Sequence, residues 1–346
     1  HKINKVAIPV LIIFICAGCN LNEENPDPNV KVRYFHAPYL YPTGGVAYQL
    51  DTGDFNKDGA PDIAVSNYDK ANISVLIRDP ENGNFKLHQD YAVGTNPGMV
   101  KIRDLDGDSY LDIVVANQGE DSISILYGKE EGKFEEEIRL SVSSGAKPSA
   151  LSLADINKDN KPEILVTETG CDSVAILLNK GNRNWEQPNS IPTGKAPRWL
   201  LPADLDNDSE IDLVVSNKDD GTITVLLSEG GNLFGTRSDY PVGLYPRAVE
   251  TLDLNGDGYL DLVVANQGSK NYSILINDTH GAFTPSQNID SYGAPIKLVA
   301  VDINKDGIKD LLSILYGEIK LSTGEIKEGP LGALEIFKGE ANGGFS

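Results

Sequence analysis

The sequence has few of the residues that most often cross-link a chain or carry out chemistry. Its 346 residues include three cysteines, four histidines, two tryptophans and one methionine. The histidines form no recognisable Ser/His/Asp or Cys/His constellation, and no glycine-rich loop carries the lysine of a phosphate-binding loop. The sequence therefore gives no positive indication of catalysis.

Basic residues are also scarce relative to acidic ones. The chain has 30 lysines and arginines against 51 aspartates and glutamates, a net charge of −21. Such an excess repels nucleic acid and anionic membrane surfaces. We therefore expect no nucleic-acid partner, and we expect a monomer.

The N-terminal apolar run, residues 6–15, follows two lysines and is too short to cross a bilayer, as in a secretory signal. It leads into Cys16-Ala17-Gly18-Cys19, which resembles a bacterial lipoprotein cleavage box, although Cys16 replaces the usual leucine. The resemblance implies a signal peptide over 1–19, with Cys19 lipidated as the first mature residue. An ordinary signal peptide with an incidental cysteine is the alternative.

This reading predicts an exported protein, anchored in the outer membrane or at the cell surface, with an acidic and polar linker over 20–32. A lipidated Cys19 leaves Cys171 without a partner, so no disulfide framework is expected. Metal is then the obvious means of stabilising the exported domain. The start at His1 rather than Met, and the abrupt stop at Ser346, favour a fragment of a longer chain.

One acidic string occurs six times, at intervals of 49 to 51 residues. It reads DFNKDGAPDIAVSN from Asp54 and DLDGDSYLDIVVAN from Asp104. Such a period is typical of a repeat architecture. Aromatic residues that close Gly/Asn-rich turns keep the same interval: Phe85, Phe134, Trp185, Phe234 and Phe283.

Each repeat reads as four short strands without a helical period. In the second repeat, residues 111–116 form a β-branched run and 122–128 alternate polar with apolar. Residues 133–140 alternate as an outer strand, and 150–155 lead into the next acidic loop. A four-stranded unit of this length is typical of one propeller blade, so we predict an all-β propeller over 33–346.

The acidic string has the pattern D-x-[DN]-x-D-x-x-x-[DE], numbered here as positions 1 to 9. Ca²⁺ takes six to eight oxygen ligands, and alternate residues of a tight loop can turn three side-chain oxygens toward one point. Position 9 can then close the shell, so the six copies predict about six Ca²⁺. The predicted ligands are Asp54, Asn56, Asp58, Asp62, Asp104, Asp106, Asp108, Asp112, Asp155, Asn157, Asp159, Glu163, Asp204, Asp206, Asp208, Asp212, Asp253, Asn255, Asp257, Asp261, Asp302, Asn304, Asp306 and Asp310.

Other interpretations of the acidic string fit less well. An EF-hand needs a bidentate Glu at its twelfth position and flanking helices, but the twelfth residue here is Val or Ser within a predicted strand. Polar turns without metal would leave many like charges crowded in six loops. Calcium loops remain the favoured interpretation.

The six strings resemble the FG-GAP or VCBS repeat family, which includes the propeller of integrin α chains. The likeness covers residues 33–346 and implies a propeller with calcium in its loops. It leaves the ligand open. Residues 34–45 align with an outer strand and turn, so we expect them to close the last of six blades by pairing with 334–339. Because Phe345 begins a competing outer strand, a seventh blade in the intact protein is the alternative.

In a propeller the calcium loops share one face, and the opposite face is the candidate for binding a ligand. The sixth repeat carries 13 extra residues between its second and third strands, which should project from that opposite face. Trp199 is the one tryptophan that could stack on a sugar. The candidate ligand-face residues are Trp199, Arg198, Arg247, Tyr245, Lys320 and Lys327.

Two functions compete on this evidence. The first is a surface-anchored binding or adhesion module for a glycan or protein. The second is a polysaccharide-degrading enzyme of the lyase type, because some lyases use related propellers. The missing catalytic constellation favours binding.

Overall fold

The computed structural model describes residues 40–86, 88–231, 233–320, 326–340 and 345. It confirms the predicted fold: six antiparallel sheets form the blades of a β-propeller. Five blades have four strands each, and the sixth has three within the described residues. That part of the chain contains no α-helix, only a 3-10 turn at Glu130–Gly132.

The strands of blades 1 to 3 are β1 (Ala47–Gly53), β2 (Asp62–Asn67), β3 (Asn72–Leu76), β4 (Gln89–Ala92), β5 (Pro97–Arg103), β6 (Asp112–Asn117), β7 (Ser122–Leu126), β8 (Gly128–Lys129), β9 (Lys133–Phe134), β10 (Ile138–Ser141), β11 (Pro148–Ala154), β12 (Glu163–Glu168), β13 (Ser173–Leu177) and β14 (Asn189–Pro192). Blade 2 consists of β5, β6, β7 and β10, whereas β8 and β9 pair in a separate short ribbon.

The strands of blades 4 to 6 are β15 (Pro197–Ala203), β16 (Asp212–Asn217), β17 (Thr222–Gly230), β18 (Leu233–Pro241), β19 (Pro246–Leu252), β20 (Asp261–Asn266), β21 (Asn271–Asn277), β22 (Phe283–Asp290), β23 (Ala294–Val301), β24 (Asp310–Lys320) and β25 (Ile326–Phe337). In each blade, consecutive strands pair as antiparallel neighbours.

The outer strand predicted for the second repeat is partly wrong. Lys133 and Phe134 belong to the short ribbon with β8, and the outer strand of the blade begins only at Ile138. Phe134 is instead buried, with its ring 5.1 Å from that of Phe55. Burial of this aromatic ring between two blades thus overrides the alternating pattern.

The hydrophobic cores lie between neighbouring blades. One cluster joins Ile125 and Tyr127 of blade 2 to Leu151 and Ile164 of blade 3, and equivalent clusters join every consecutive pair from blade 1 to blade 6. The second strands are buried on both faces, which explains their continuous β-branched runs. Each fully buried side chain of this kind contributes about 1.5–3 kcal/mol.

A repeated polar contact fixes the linker between blades. In blade 2, Asn117 at the end of β6 donates to the hydroxyl of Ser124 on β7 at 2.8 Å. The same hydroxyl accepts the backbone N–H of Gly94, just before the blade, at 3.1 Å. A Cβ at Gly94 would lie 2.4 Å from the Asn117 amide, so the close approach requires glycine.

The closing strand is only partly within the described residues. Gly44 donates its N–H to Ser74 at 2.8 Å, as Gly94 does to Ser124, and the Tyr41 ring lies 5.3 Å from that of Phe85. This segment therefore has the position of a linker that follows an outer strand. The predicted pairing of that strand with 334–339 involves residues outside the described part of the chain.

The insertion in the sixth repeat, which the sequence places between the second and third strands, is partly paired as strand. It prolongs β24 and β25 as a two-stranded ribbon, with Ile319 opposite Lys327 and Lys320 opposite Ile326. The register shifts at Gly317, whose φ of +89° favours glycine. The ribbon leaves the blade at the end opposite the acidic loops.

Candidate calcium loops and ligand face

Each acidic string forms a tight loop between the first and second strands of its blade. The turn is closed by the position 1 carboxylate, which accepts the N–H of position 6; in blade 2, Ser109 donates to Asp104 at 2.9 Å. Position 6 has a positive φ, between 64° and 89°, in all six loops. Glycine occupies it in three of them, whereas Asn160, Ser109 and Ser209 adopt a conformation that costs about 1–3 kcal/mol.

Two loops gather three carboxylates around one point. Carboxylate oxygens of Asp104, Asp106 and Asp108 lie within 4.8 Å of one another, and those of Asp204, Asp206 and Asp208 do the same. One buried oxygen, Oδ1 of Asp204, has no hydrogen-bond partner. Burial and the neighbouring Asp208 and Asp204 raise the pKa of Asp206. In the Asp204 loop, three converging carboxylates and an unpartnered buried oxygen fit a bound hard cation such as Ca²⁺.

The other four loops hold asparagine at position 3, and its amide binds a neighbouring carboxylate. Asn56 donates to Asp58 at 2.8 Å, and Asn255 and Asn304 make the same contact with the aspartate two residues later. In blade 3, Asn157 donates to Glu163 at 3.2 Å. These loops contain one carboxylate fewer than the other two, and the asparagine amide occupies part of the acceptor capacity of a predicted ligand.

The position 9 carboxylate connects the loop to the third strand. In blade 4, Asp212 accepts the N–H of Leu205 with one oxygen and that of Ser228 with the other, both at 2.8 Å. Asp62, Asp112, Asp261 and Asp310 make equivalent pairs of bonds. Each ionised oxygen keeps a further lone pair, so the predicted role of position 9 as a ligand remains compatible with these bonds.

Burial is the largest influence on the pKa of the position 9 carboxyl group. It raises the pKa of Asp212 and Asp62 to about 6, and that of Asp112 and Glu163 to about 7, with further upward contributions from carboxylates of the same loop. Backbone N–H donors act in the opposite direction and only partly offset burial. A bound divalent cation would favour the ionised form of each group.

Neighbouring loops also contact one another. Lys57 places its ammonium 3.5 Å from the centre of the Tyr110 ring in the next blade, and Asn207 donates to the carbonyl of Gly258. Arg183, from blade 3, forms ion pairs at 2.8 Å with Asp106 and with Glu135. No sequence pattern indicated a role for Arg183, because its partner Asp106 lies in another blade.

The opposite face carries the candidate ligand residues. Arg198 and Arg247 follow the first residue of β15 and β19, and Tyr245 immediately precedes β19 and is exposed. Trp199 is only partly exposed and packs against the clusters on both sides of blade 5. The backbones of Lys320 and Lys327 lie on the ribbon that leaves blade 6 at this end.

The sequence matches the family of FG-GAP-like repeats at residues 104–166, 204–264 and 253–313, which together span half of the chain. The chain belongs to this family. No curated protein matches the sequence of this FG-GAP repeat propeller.

Solved structures with similar folds include proteins of different activities. A lectin from Agrocybe aegerita that recognises terminal N-acetylglucosamine is 17% identical, with a TM-score of 0.54 over 85% of this chain and 80% of the lectin. A virginiamycin B lyase from Staphylococcus aureus is 14% identical, with a TM-score of 0.52 over 82% and 84%. BBS1N, solved with ARL6DN, is 12% identical, with a TM-score of 0.55 over 85% and 83%. At these identities the likeness establishes the fold alone.

Proposed function

We propose that this propeller is a surface-anchored, calcium-binding module that binds a glycan or protein ligand through the face opposite its acidic loops. The observation that carries the proposal is the division of roles between the two faces. One face holds the carboxylate loops, and the other exposes Tyr245, Tyr48 and Tyr68 near the starts of first strands and the ends of second strands. Exposed aromatic side chains are enriched where proteins bind partners.

Calcium has a structural part in this proposal. The side chains at positions 1, 3 and 5 would hold the ion, most readily in the loops of Asp104 and Asp204, where the carboxylates already converge. The ion would supply positive charge that offsets carboxylate repulsion and fixes the loops. The ligand face then rests on blades of fixed geometry. The lectin and BBS1N structures support the idea that such a scaffold suits a glycan or a protein partner.

Screening the calcium-loaded protein on glycan and protein arrays tests the proposed function. We expect saturable binding to at least one class of ligand. Heat-denatured protein is the control and should not bind. Absence of binding to both arrays would contradict a ligand-binding role.

Anchoring is tested by replacing Cys19 with serine in the exported protein. Residues 1–39 lie outside the described part of the chain, and within that part no helix is long and apolar enough to span a membrane. We expect the unaltered protein to partition into detergent and the Cys19→Ser variant into the aqueous phase, because the lipid would be missing. Identical fractionation of the two would contradict the lipoprotein hypothesis.

The ribbon of blade 6 is tested by deleting Ile319 to Glu328. The deletion leaves Glu318, Gly329 and Pro330 between the paired Gly317 and Leu331, a hairpin connection of ordinary length. We therefore expect weaker ligand binding but a melting temperature within about 2 °C of the parent, because the paired part of the blade is unchanged. Unaltered affinity for every ligand found on the arrays would exclude the ribbon from the binding site.

A further inference from the structure

The innermost strands surround a common central space. Each packs beside the next, from β1 through β5, β11, β15 and β19 to β23. Charges also act across this space, since Lys297 of blade 6 is influenced by Asp51 of blade 1 and Lys101 of blade 2. The ends at which these strands begin therefore form one mouth, on the ligand face.

Two arginines stand at the same height in this mouth. Pro197 is opposite Asn217 in blade 4 and Pro246 is opposite Asn266 in blade 5, and Arg198 and Arg247 directly follow these prolines. The two strands that carry them, β15 and β19, are neighbours. Both side chains are partly buried, so each guanidinium has lost part of its hydration.

The arginines lack carboxylate partners. Among the ion pairs of the described residues, none involves Arg198 or Arg247, and the side chain of Arg247 has one hydrogen bond, to Gln267 Oε1 at 3.3 Å. Burial and the positive charge of Arg198 lower the pKa of Arg247. In a chain of net charge −21, two unneutralised arginines side by side indicate that the missing anion comes from outside the chain.

A third cation and an unused donor lie beside the arginines. Lys297 is partly buried on β23, with its ammonium 4.1 Å from the centre of the Trp199 ring. Burial, followed by the charge of Lys101, lowers the pKa of Lys297 to about 8, even though Asp51 and Glu250 act in the opposite direction. The Trp199 Nε1–H is buried and has no hydrogen-bond partner. The set Arg198, Arg247, Lys297 and Lys101 is called the inner basic cluster below.

Exposed tyrosines flank the same mouth. Tyr48 follows the first residue of β1, Tyr68 follows β2, and their ring centres are 5.1 Å apart. Tyr245 precedes β19 and is 51% exposed. Tyrosine rings provide rigid, amphipathic contact surfaces with a hydroxyl that can donate or accept a hydrogen bond.

We propose that the mouth of the central space binds an acidic glycan, with a carboxylate or sulfate group of the sugar held between Arg198 and Arg247 and its rings against the exposed tyrosines. The planar fork of a guanidinium matches the oxygens of both acid groups. Lys297 adds positive charge from below. This assignment rests on the proposed ligand-binding function and specifies its ligand.

The observations favour a glycan over an acidic peptide. The inner basic cluster is drawn from four strands around the central space, β5, β15, β19 and β23, rather than from a row that could follow successive side chains. The exposed residues beside it are flat aromatic rings with hydroxyl groups. The acidic remainder of the chain opposes long polyanions such as nucleic acid. A sugar carrying isolated acid groups between neutral rings matches both the cluster and its surroundings.

The test uses the full calcium-loaded protein and a hyaluronan hexasaccharide, which alternates glucuronate with N-acetylglucosamine. The matched probes are its carboxyl-reduced, neutral form and a carboxyl-reduced, sulfated chondroitin hexasaccharide, in which sulfate is the only acid group. We expect the neutral form to bind about tenfold or more weakly than its acidic counterpart, since hydrogen bonds to a charged group are lost. Affinity for the acidic probe should also fall as salt rises.

Two double variants each remove two positive charges, one pair from the mouth and the other from outer strands. Replacing both Arg198 and Arg247 with glutamine should weaken binding of an acidic probe by about tenfold or more. Arg139 and Arg237 lie on the outer strands β10 and β18 and already pair with carboxylates. Replacing these two with glutamine should leave the affinity for the acidic probe unchanged. Melting temperatures verify folding, and the comparison of acidic with neutral probe on the unaltered protein requires no variant.

Several outcomes would overturn the inference. Equal binding of acidic and neutral probes would do so, as would an equal loss in the outer-arginine variant. Polyglutamate that displaces the acidic glycan at equal charge concentration would assign the site to an acidic peptide. If the arrays yield only neutral-glycan or protein ligands that do not depend on Arg198 and Arg247, the inference fails while the proposed binding function stands.

Discussion

Excess EGTA should lower the melting temperature of this protein by roughly 15 °C. For extracellular calcium sites with a dissociation constant of about 0.1 mM, roughly 2 mM Ca²⁺ stabilises the folded state by about 1.8 kcal/mol per site. Six independent sites would contribute on the order of 10 kcal/mol. For a chain of this size each kcal/mol corresponds to about 1.5–2 °C in the melting temperature.

The size of the shift also reports how many loops bind the ion. If only the two loops with three converging carboxylates bind, those of Asp104 and Asp204, the expected shift falls to roughly 6 °C. The measurement is differential scanning calorimetry in calcium, in EGTA and after calcium is restored. Magnesium at the same concentration is the control, because it prefers octahedral sites and retains its waters. A melting curve that EGTA leaves unchanged would contradict calcium binding in these loops.

The fold was predictable because the repeat specifies it several times over. The same four-stranded blade was predicted by three features: the six acidic strings, the β-branched second strands and the regularly spaced aromatic residues. The structure confirms this blade. The convergence of Asp204, Asp206 and Asp208 followed from the same reasoning, since alternate residues of one tight loop are local neighbours. A single sequence predicts contacts well when the residues concerned are close to one another along the chain.

The features that the sequence did not reveal depend on contacts between distant residues. Arg183 binds Asp106 from another blade, and Lys297 covers Trp199 from two blades away. The insertion of blade 6 continues the antiparallel pairing of β24 and β25 beyond a register shift at Gly317, and its length in the sequence did not reveal this pairing. The arginine pair was recognised by position, but its lack of carboxylate partners became visible only when the blades were assembled.

Position 9 is where the loop and the blade depend on each other, so we expect its substitution to have the largest effect of any single change in a loop. Asp212 is 1% exposed and accepts backbone N–H groups from Leu205 and Ser228. Alanine would leave both buried donors unsatisfied, at a cost of about 2–6 kcal/mol. Asparagine has one acceptor oxygen and would turn its amide toward the second donor, at a cost of about 1–3 kcal/mol.

The matched control is Asp206→Asn in the same loop. Asparagine occupies this position in four other loops, where its Oδ1 accepts the N–H two residues later, the bond that Asp206 now makes with Asp208. Without calcium we therefore expect Asp206→Asn to change the free energy of unfolding by less than about 0.5 kcal/mol. With calcium it should lower stability only through weaker metal binding.

The two variants separate the structural role of position 9 from any role in holding the ion. Unfolding by urea, at a pH well above the pKa of about 6 for Asp212, should show that Asp212→Asn is destabilised both in calcium and in EGTA. Asp206→Asn should differ from the parent only in calcium. If the loss for Asp212→Asn disappears in EGTA, its carboxylate stabilises the protein solely as a metal ligand, and the backbone bonds to Leu205 and Ser228 contribute nothing measurable.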